Sequence, residues 1–123
     1  MPKASIVIYQ ETVSEIPLIE WLGSLSKKAQ DKCIAKIELL AEQGNCLRRP
    51  HCDLLENGIY ELRARMGHVQ YRILYAYVGK QIVLLSHGCQ KERIVPPGEI
   101  ERAIDHLEKY KAHPKAHTYS EEL

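Results

Sequence analysis

IYELRARMGHVQYRILYAYVGKQIVLLSHGCQKER, residues 59–93, is one unbroken block of strand-forming sequence that also concentrates positive charge. Residues 59–66 alternate, with Tyr60, Leu62, Ala64 and Met66 on one face and Glu61, Arg63 and Arg65 on the other, the period of two expected of a strand. Residues 70–78 set Tyr71, Ile73, Tyr75 and Tyr77 opposite Arg72, Leu74 and Ala76, and their aromatic and β-branched content suits a pleated surface. A turn at residues 66–68 joins these two runs, and Gly79 with Lys80 forms a two-residue connection to a third. That third run, residues 81–86, is apolar almost throughout and reads as a central strand buried on both faces. Between Gly58 and Arg93 six cations (Arg63, Arg65, Arg72, Lys80, Lys91, Arg93) stand against two anions (Glu61, Glu92). With a formal net charge of +1 on the whole chain, the remaining residues are net acidic. A basic sheet in an otherwise acidic chain is the footprint of a surface for a polyanion, and nucleic acid is the commonest one in a cell.

Outward from this block the pattern turns helical. Residues 45–58 are a polar connection containing Pro50 and an Asn57–Gly58 turn signal. Before it, Cys33, Ile34, Ile37, Leu40 and Ala41 make a helical stripe within residues 26–43, ended by Gly44. Ser14 reads as the N-cap of a shorter helix that reaches about Leu22, with Pro17 in its first turn, and residues 5–10 read as a first strand. On the other side, Pro96, Pro97 and Gly98 precede a helix over residues 99–111 with Ile100, Ala103, Ile104 and Leu107 on one stripe. The expectation is a single α+β domain, residues 1–111, with a polar tail at 112–123. A small, mostly antiparallel β-sheet packs against an N-terminal helical hairpin and a C-terminal helix, leaving a basic surface on the face opposite the helices.

At 123 residues the chain has the size of one domain, and 45% apolar with 27% charged residues is ordinary for a globular protein. No stretch approaches the roughly 18 apolar residues that mark a membrane helix, and MPKASIVIYQ lacks the pattern of a signal peptide, so a cytoplasmic location is expected. Cys33, Cys46, Cys52 and Cys89 lack CxxC spacing and are expected as thiols. Cys46, His51, Cys52, His87 and Cys89 could be gathered as metal ligands, but structural zinc sites usually show two tight ligand pairs and here only His51 and Cys52 adjoin. Neither a metal nor another cofactor is expected.

NGIYELRAR, QYRILYAY and IVLLSHGCQKERIVPPGEIERAIDHLEKY, residues 57–65, 70–77 and 82–110, follow one another at consistent spacing. Over about residues 4–111 the chain resembles the RelE/ParE superfamily of bacterial toxins, in particular its HigB-like branch with phage-derived members. The resemblance implies a RelE-like fold and a type II toxin that enters the ribosome and cuts messenger RNA without a metal. It also implies a cognate helix-turn-helix antitoxin that holds the toxin inactive in a hetero-oligomer, and no membrane partner. Arg63 and Arg65 fall in the strand where RelE-like nucleases present basic side chains to RNA, Arg72 in the YR pair, and Lys91 and Arg93 in the basic loop that follows.

Attack of a 2′-hydroxyl on the neighbouring phosphate builds negative charge, which fixed guanidinium groups can hold bidentately. His87 titrates nearest neutrality and is the natural proton donor or acceptor, with Lys91 or a tyrosine as the second group. Arg72, His87 and Lys91 are therefore assigned catalysis, and Arg63, Arg65 and Arg93 RNA binding. Plainer readings stand beside these. Arg63 and Arg65 fit the solvent side of a strand, Arg72 fits an ion pair with Glu61, and His87 fits a hydrogen-bonded strand end. The tyrosines read as core, and His68, His106, His113 and His117 receive no chemistry. Two departures from the RelE pattern are visible: IVPPGEI holds no tyrosine, and Glu61 stands where some relatives keep a lysine. The alternatives are a ParE-like gyrase inhibitor, or a catalytically degenerate phage-associated protein that binds an antitoxin.

Overall fold

The computed structural model describes residues 3–90 and 94–120. Strand β1 (Ser5–Ile8) is followed by helices α1 (Pro17–Gly23) and α2 (Lys27–Gln43), a short edge strand β2 (Cys52–Leu54), a meander of β3 (Tyr60–Met66), β4 (Val69–Val78) and β5 (Ile82–Gln90), and helix α3 (Pro97–Ala112). The five strands form one sheet in the order β1-β5-β4-β3-β2, with β1 parallel to β5 and every other pair antiparallel. This is the expected α+β architecture, compatible with a RelE-like fold.

Local chemistry accounts for the boundaries. The hairpin of β2 and β3 turns at Asn57 and Gly58, both at positive φ, closed by the Ile59 amide donating to the Glu56 carbonyl at 3.0 Å. A turn with two left-handed central residues matches the twist of antiparallel strands, which is why Asn-Gly serves it. Helix α2 begins where Ser26 Oγ accepts from the Ala29 amide at 3.2 Å, and ends at Gly44, whose amide donates to the Leu40 carbonyl. Its buried stripe is Ala29, Cys33 and Leu40 with Ile37 beside it; Ile34, one residue round the helix from Cys33, faces out. Helix α1 starts later than expected, capped by Ile16 rather than Ser14, because Pro17 fixes the first helical position. The connection from β4 to β5 has three residues instead of two, as Val78 pairs with Ile82, and β4 rather than β5 is the central strand.

Strand β5 runs on to Gln90, four residues past the expected end. The SHGCQ segment has weak strand propensity, and its pairing with β4 and its cover by α1 hold it extended. Gly88 is the point of closest cover. A Cβ there would lie 2.1 Å from Trp21 Cε3, so the indole lies directly on the glycine backbone, edge-on to Tyr71. Gly88→Ala is expected to destabilise the protein by roughly 1–3 kcal/mol through overpacking. Trp21 is the chain's one tryptophan, so urea unfolding followed by its fluorescence reads both the midpoint and the displacement of the ring; an unchanged midpoint and emission maximum would contradict this packing.

Apolar side chains fill both faces of the sheet. Leu62, Ala64, Tyr71, Ile73, Tyr75, Val83 and Leu85 pack against α1 and α2, while Ile59, Leu74, Ala76 and Val95 pack against Ile100 and Ala103 of α3. The expectation of helices on one face and a basic surface on the other is therefore corrected. The arginine face is the face that α3 partly covers, because the stripe Ile100, Ala103 and Tyr110 needs apolar cover and finds it on β4 and β5.

Candidate functional site

The outward-alternating residues of β3 meet those of β4 in a ladder of charges. Arg63 and Arg72 are direct cross-strand neighbours, an arrangement that repels unless something negative stands between them. Glu61 does. Its Oε1 accepts from Arg72 Nη1, and its Oε2 accepts from Arg63 Nε at 2.9 Å and Nη2 at 2.7 Å. The same Arg63 Nη2 donates to Asp53 Oδ2 at 3.2 Å, and Arg49 Nη2 donates to both Asp53 oxygens at 3.0 Å. Three guanidinium groups and two carboxylates thus alternate from β4 across β3 to the outer side of β2. Arg49 beside Asp53 holds that carboxyl below its usual range.

Exposure varies steeply along the ladder. Glu61 is 1% exposed and Arg72 5%, whereas the Arg63 side chain is 27% exposed. Asp53, Glu61, Arg63 and Arg72 form one wall of a groove of about 300 Å³, closed on the other side by Ile94, Val95 and Ile100 at the approach to α3. Of Arg63's five N–H donors, Nε and one nitrogen serve the two carboxylates, and Nη1 bonds nothing among the described residues. Arg65 lies farther along the same strand, exposed, its Nε donating to the Gly67 carbonyl at 3.0 Å, in a shallow depression it shares with Arg63 and Lys36.

A second polar cluster lies between β5 and α3. Leu74 pairs with His87 but Tyr75 pairs with Leu85, so Ser86 is the extra residue of a β-bulge, and this turns both Ser86 and His87 toward α3. His87 is 1% exposed, with Nε2 2.8 Å from Glu99 Oε1 and Nδ1 2.8 Å from Ser86 Oγ. Ser86 Oγ is also 2.7 Å from His106 Nδ1. A hydroxyl has one proton, so it donates to one imidazole and accepts from the other. With both rings neutral the pattern is determined: His87 donates from Nε2 to Glu99, Ser86 donates to His87 Nδ1, and His106 donates from Nδ1 to Ser86.

Burial keeps both rings neutral, lowering His87 and taking His106 down to about 4, with Arg102 opposing protonation of both. His106 stacks on Tyr9 at 4.1 Å, and Tyr9 donates to Glu11 Oε1 at 2.7 Å while Lys109 donates to Glu11 Oε2 at 3.0 Å. The Tyr9 hydroxyl and the Lys109 ammonium together hold the Glu11 carboxyl below its ordinary range.

The structure thus brings Arg63 and Arg72 together, puts Arg65 at the end of the same row, and sets His87 on the neighbouring strand, facing the same helix. It places His87 behind Glu99, with both ring nitrogens engaged, rather than at a surface. Lys91 and Arg93 lie outside the described residues. Sequence reasoning missed Ser86, Glu99 and His106. For His106 the signal was present: it lies three residues after Ala103 and four before Tyr110, on the buried stripe of α3.

A family model described as "Phage derived protein Gp49-like" matches residues 20–108, which run from within α1 to most of α3 and include the arginine ladder with Ser86, His87, Glu99 and His106. The chain belongs to the Gp49-like family. This family is part of the RelE/ParE-like toxin superfamily, the one the three strand motifs resemble. No curated protein matches the chain. Among the described residues of this Gp49-like protein, no helix is long and apolar enough to cross a membrane.

Proposed function

We propose that this Gp49-like protein is the toxin of a type II toxin–antitoxin pair, of the HigB-like kind, and that it cuts messenger RNA on the ribosome without a metal cofactor. The observation that carries this reading is Arg63: a guanidinium fixed by two carboxylates in an open groove, with its Nη1 donors bonded to nothing among the described residues. A phosphate oxygen supplies the acceptors that such a preorganised donor lacks.

In this reading the 2′-oxygen bonds to phosphorus, the bond from phosphorus to the 5′-oxygen breaks, and the products are a 2′,3′-cyclic phosphate and a free 5′-hydroxyl. Arg63 and Arg72 balance the charge gathered on the phosphate, with Glu61 holding their spacing. The proton of the 2′-hydroxyl and the one required by the leaving oxygen are assigned to Glu99, oriented by His87, and to Lys91. Arg65 and Arg93 contact the flanking RNA. A helix-turn-helix antitoxin would neutralise the protein in a hetero-oligomer, and the cytoplasm is the compartment where ribosomes and messenger RNA are met.

One observation favours a rival. Glu61 and Asp53 already neutralise much of the arginine ladder, which suits a toxin that acts by binding, as a ParE-like gyrase inhibitor does, or a degenerate copy that binds only an antitoxin. In vitro translation with primer extension separates these. Codon-linked cuts are expected from the purified protein, and Arg63→Ala is expected to reduce them about 100-fold, the scale for loss of one preorganised donor, with little change in melting temperature because Glu61 keeps Arg72 and Asp53 keeps Arg49. No cuts where a control toxin cuts would end the nuclease reading, and inhibition of DNA supercoiling by the same preparation would establish the gyrase one.

A further inference from the structure

On the opposite face of the sheet from the arginine groove lies a cleft of about 550 Å³, within the range of roughly 300–1,000 Å³ typical of ligand sites. Tyr60, Tyr75 and Tyr77 form its inner wall, Leu47 and Leu54 flank it, and Arg48 and Arg49 stand at its margin. We propose that this cleft is a nucleobase pocket that takes one unpaired base of a single-stranded RNA, with the adjoining phosphate on Arg48.

Four features converge on that ligand. Tyr60 and Tyr75 are stacked with centroids 5.4 Å apart, and Tyr77 stands edge-on to both, so the wall is an aromatic surface of fixed orientation. Base–aromatic stacking on such a surface contributes roughly 1–3 kcal/mol per base. The Tyr75 hydroxyl is buried and meets no hydrogen-bond partner of good geometry among the described residues, with the Cys52 thiol and the Tyr77 hydroxyl as its polar neighbours, a state that costs stability unless a ligand provides the partner. The ring edge of a base carries both acceptors and donors. Burial raises the Tyr75 phenol, with Cys52 beside it acting in the same direction, so it stays an O–H donor at any physiological pH.

Arg48 is clamped through Nη1 to the carbonyls of Asn45 and Leu47 at 2.6 and 3.1 Å, which points the guanidinium while leaving its other nitrogens without a partner among the described residues. With Arg49 already engaged by Asp53, Arg48 is the cation available to an anion at the margin. Finally, Asp53 and Leu54 line both this cleft and the Arg63 groove. Neighbouring residues of an edge strand point to opposite faces, so a single RNA strand that crosses β2 meets both sites in succession. A peptide would need backbone partners along the cleft, and a duplex could not present an unstacked base to it.

The inference rests on the proposal that RNA is what the groove takes, and its test is separable from cleavage. The probe is a hexaribonucleotide with 2′-O-methyl groups throughout, which blocks attack by the 2′-oxygen, titrated into the whole protein labelled in its tyrosine rings and followed by NMR. Saturable shifts of Tyr60 and Tyr77 are expected, with affinity reduced about tenfold in Tyr60→Leu or by abasic units in the probe, and retained in Tyr60→Phe. Arg48→Gln is expected to lower the slope of log affinity against log salt by about 0.7, one phosphate contact on a single strand.

Absence of saturable shifts, or equal binding of intact and abasic probes, overturns the pocket, and the second comparison needs no variant to fold. Equal shifts from hexaglutamate would also overturn it, assigning the cleft to an acidic peptide. Saturable shifts with no codon-linked cuts in the translation assay would leave the pocket and remove the nuclease; such cuts with equal affinity for intact and abasic probes would do the reverse.

Discussion

Glu61→Gln is expected to lower the stability of the protein by about 3 kcal/mol, and its melting temperature by roughly 10 °C. The change is isosteric, so no cavity opens; what disappears is the negative charge between two arginines that face one another across β3 and β4. The Arg63 side chain is 27% exposed, whereas Arg72 is buried and cannot turn its guanidinium to water without leaving its place in the sheet, so the loss falls mainly on Arg72. Removing one member of a buried ion pair costs roughly 3–5 kcal/mol because the remaining charge stays desolvated, although the pair itself adds little over apolar side chains. Two measurements follow. Thermal and urea unfolding should show the loss for Glu61→Gln and recover most of it in the double variant Glu61→Leu, Arg72→Met. The double variant should cut no RNA. A single variant within about 1 kcal/mol of the parent would mean that the pair is solvated, and the burial described for Arg72 would be wrong.

Acidification between about pH 6.5 and about pH 4 is expected to destabilise the protein by up to about 3 kcal/mol, most of it through His106. The sign comes from where the proton binds. His106 is depressed from 6.5 to about 4 in the folded protein, so over that interval the unfolded chain binds a proton that the folded one refuses. Each pH unit in the window then removes about 1.4 kcal/mol. The contribution is whole above the unfolded value, is lost as pH falls toward the folded one, and is constant below both. His87 is lowered too and acts in the same direction. Glu11 and Asp53 are lowered carboxyls, and their contributions are lost only below the ordinary carboxylate range, so the two windows do not coincide. Urea midpoints across the interval should fall steadily for the parent and much less for His106→Gln. A flat parental profile would show that the imidazole reaches solvent.

Much of the fold was legible because both faces of the meander bury apolar side chains at alternate positions, and because Asn57–Gly58 and Gly44 mark their turns chemically. Strand β5 was read too short, since nothing local in SHGCQ favours an extended chain; its partner Tyr71 and the indole of Trp21 impose that form from a distance. The candidate site was legible by residue type and in part by partnership. Arg63 and Arg72 stood out as cations on one face, and Glu61 read both as a weakening of the field and as a cross-strand partner for Arg72, a pair the structure contains. That Glu61 holds both arginines at once depends on the diagonal register of β3 against β4, which no single strand encodes. Ser86, His87 and Glu99 converge only because of a bulge, and an extra residue in one strand leaves no mark on its periodicity. His106 was recoverable, since its position on the buried stripe of α3 obliges a polar ring to find a partner inside.

The two outermost strands of the sheet are its shortest, four residues in β1 and three in β2, and the 117–119 segment already bonds to the free side of β1 through the Tyr119 amide and the Ile8 carbonyl. Such blunted rims offer almost no template on which a foreign extended chain could polymerise. The protein is thereby guarded against growing into fibrils at high concentration, and whatever molecule recognises it is left to read side chains and helix surfaces.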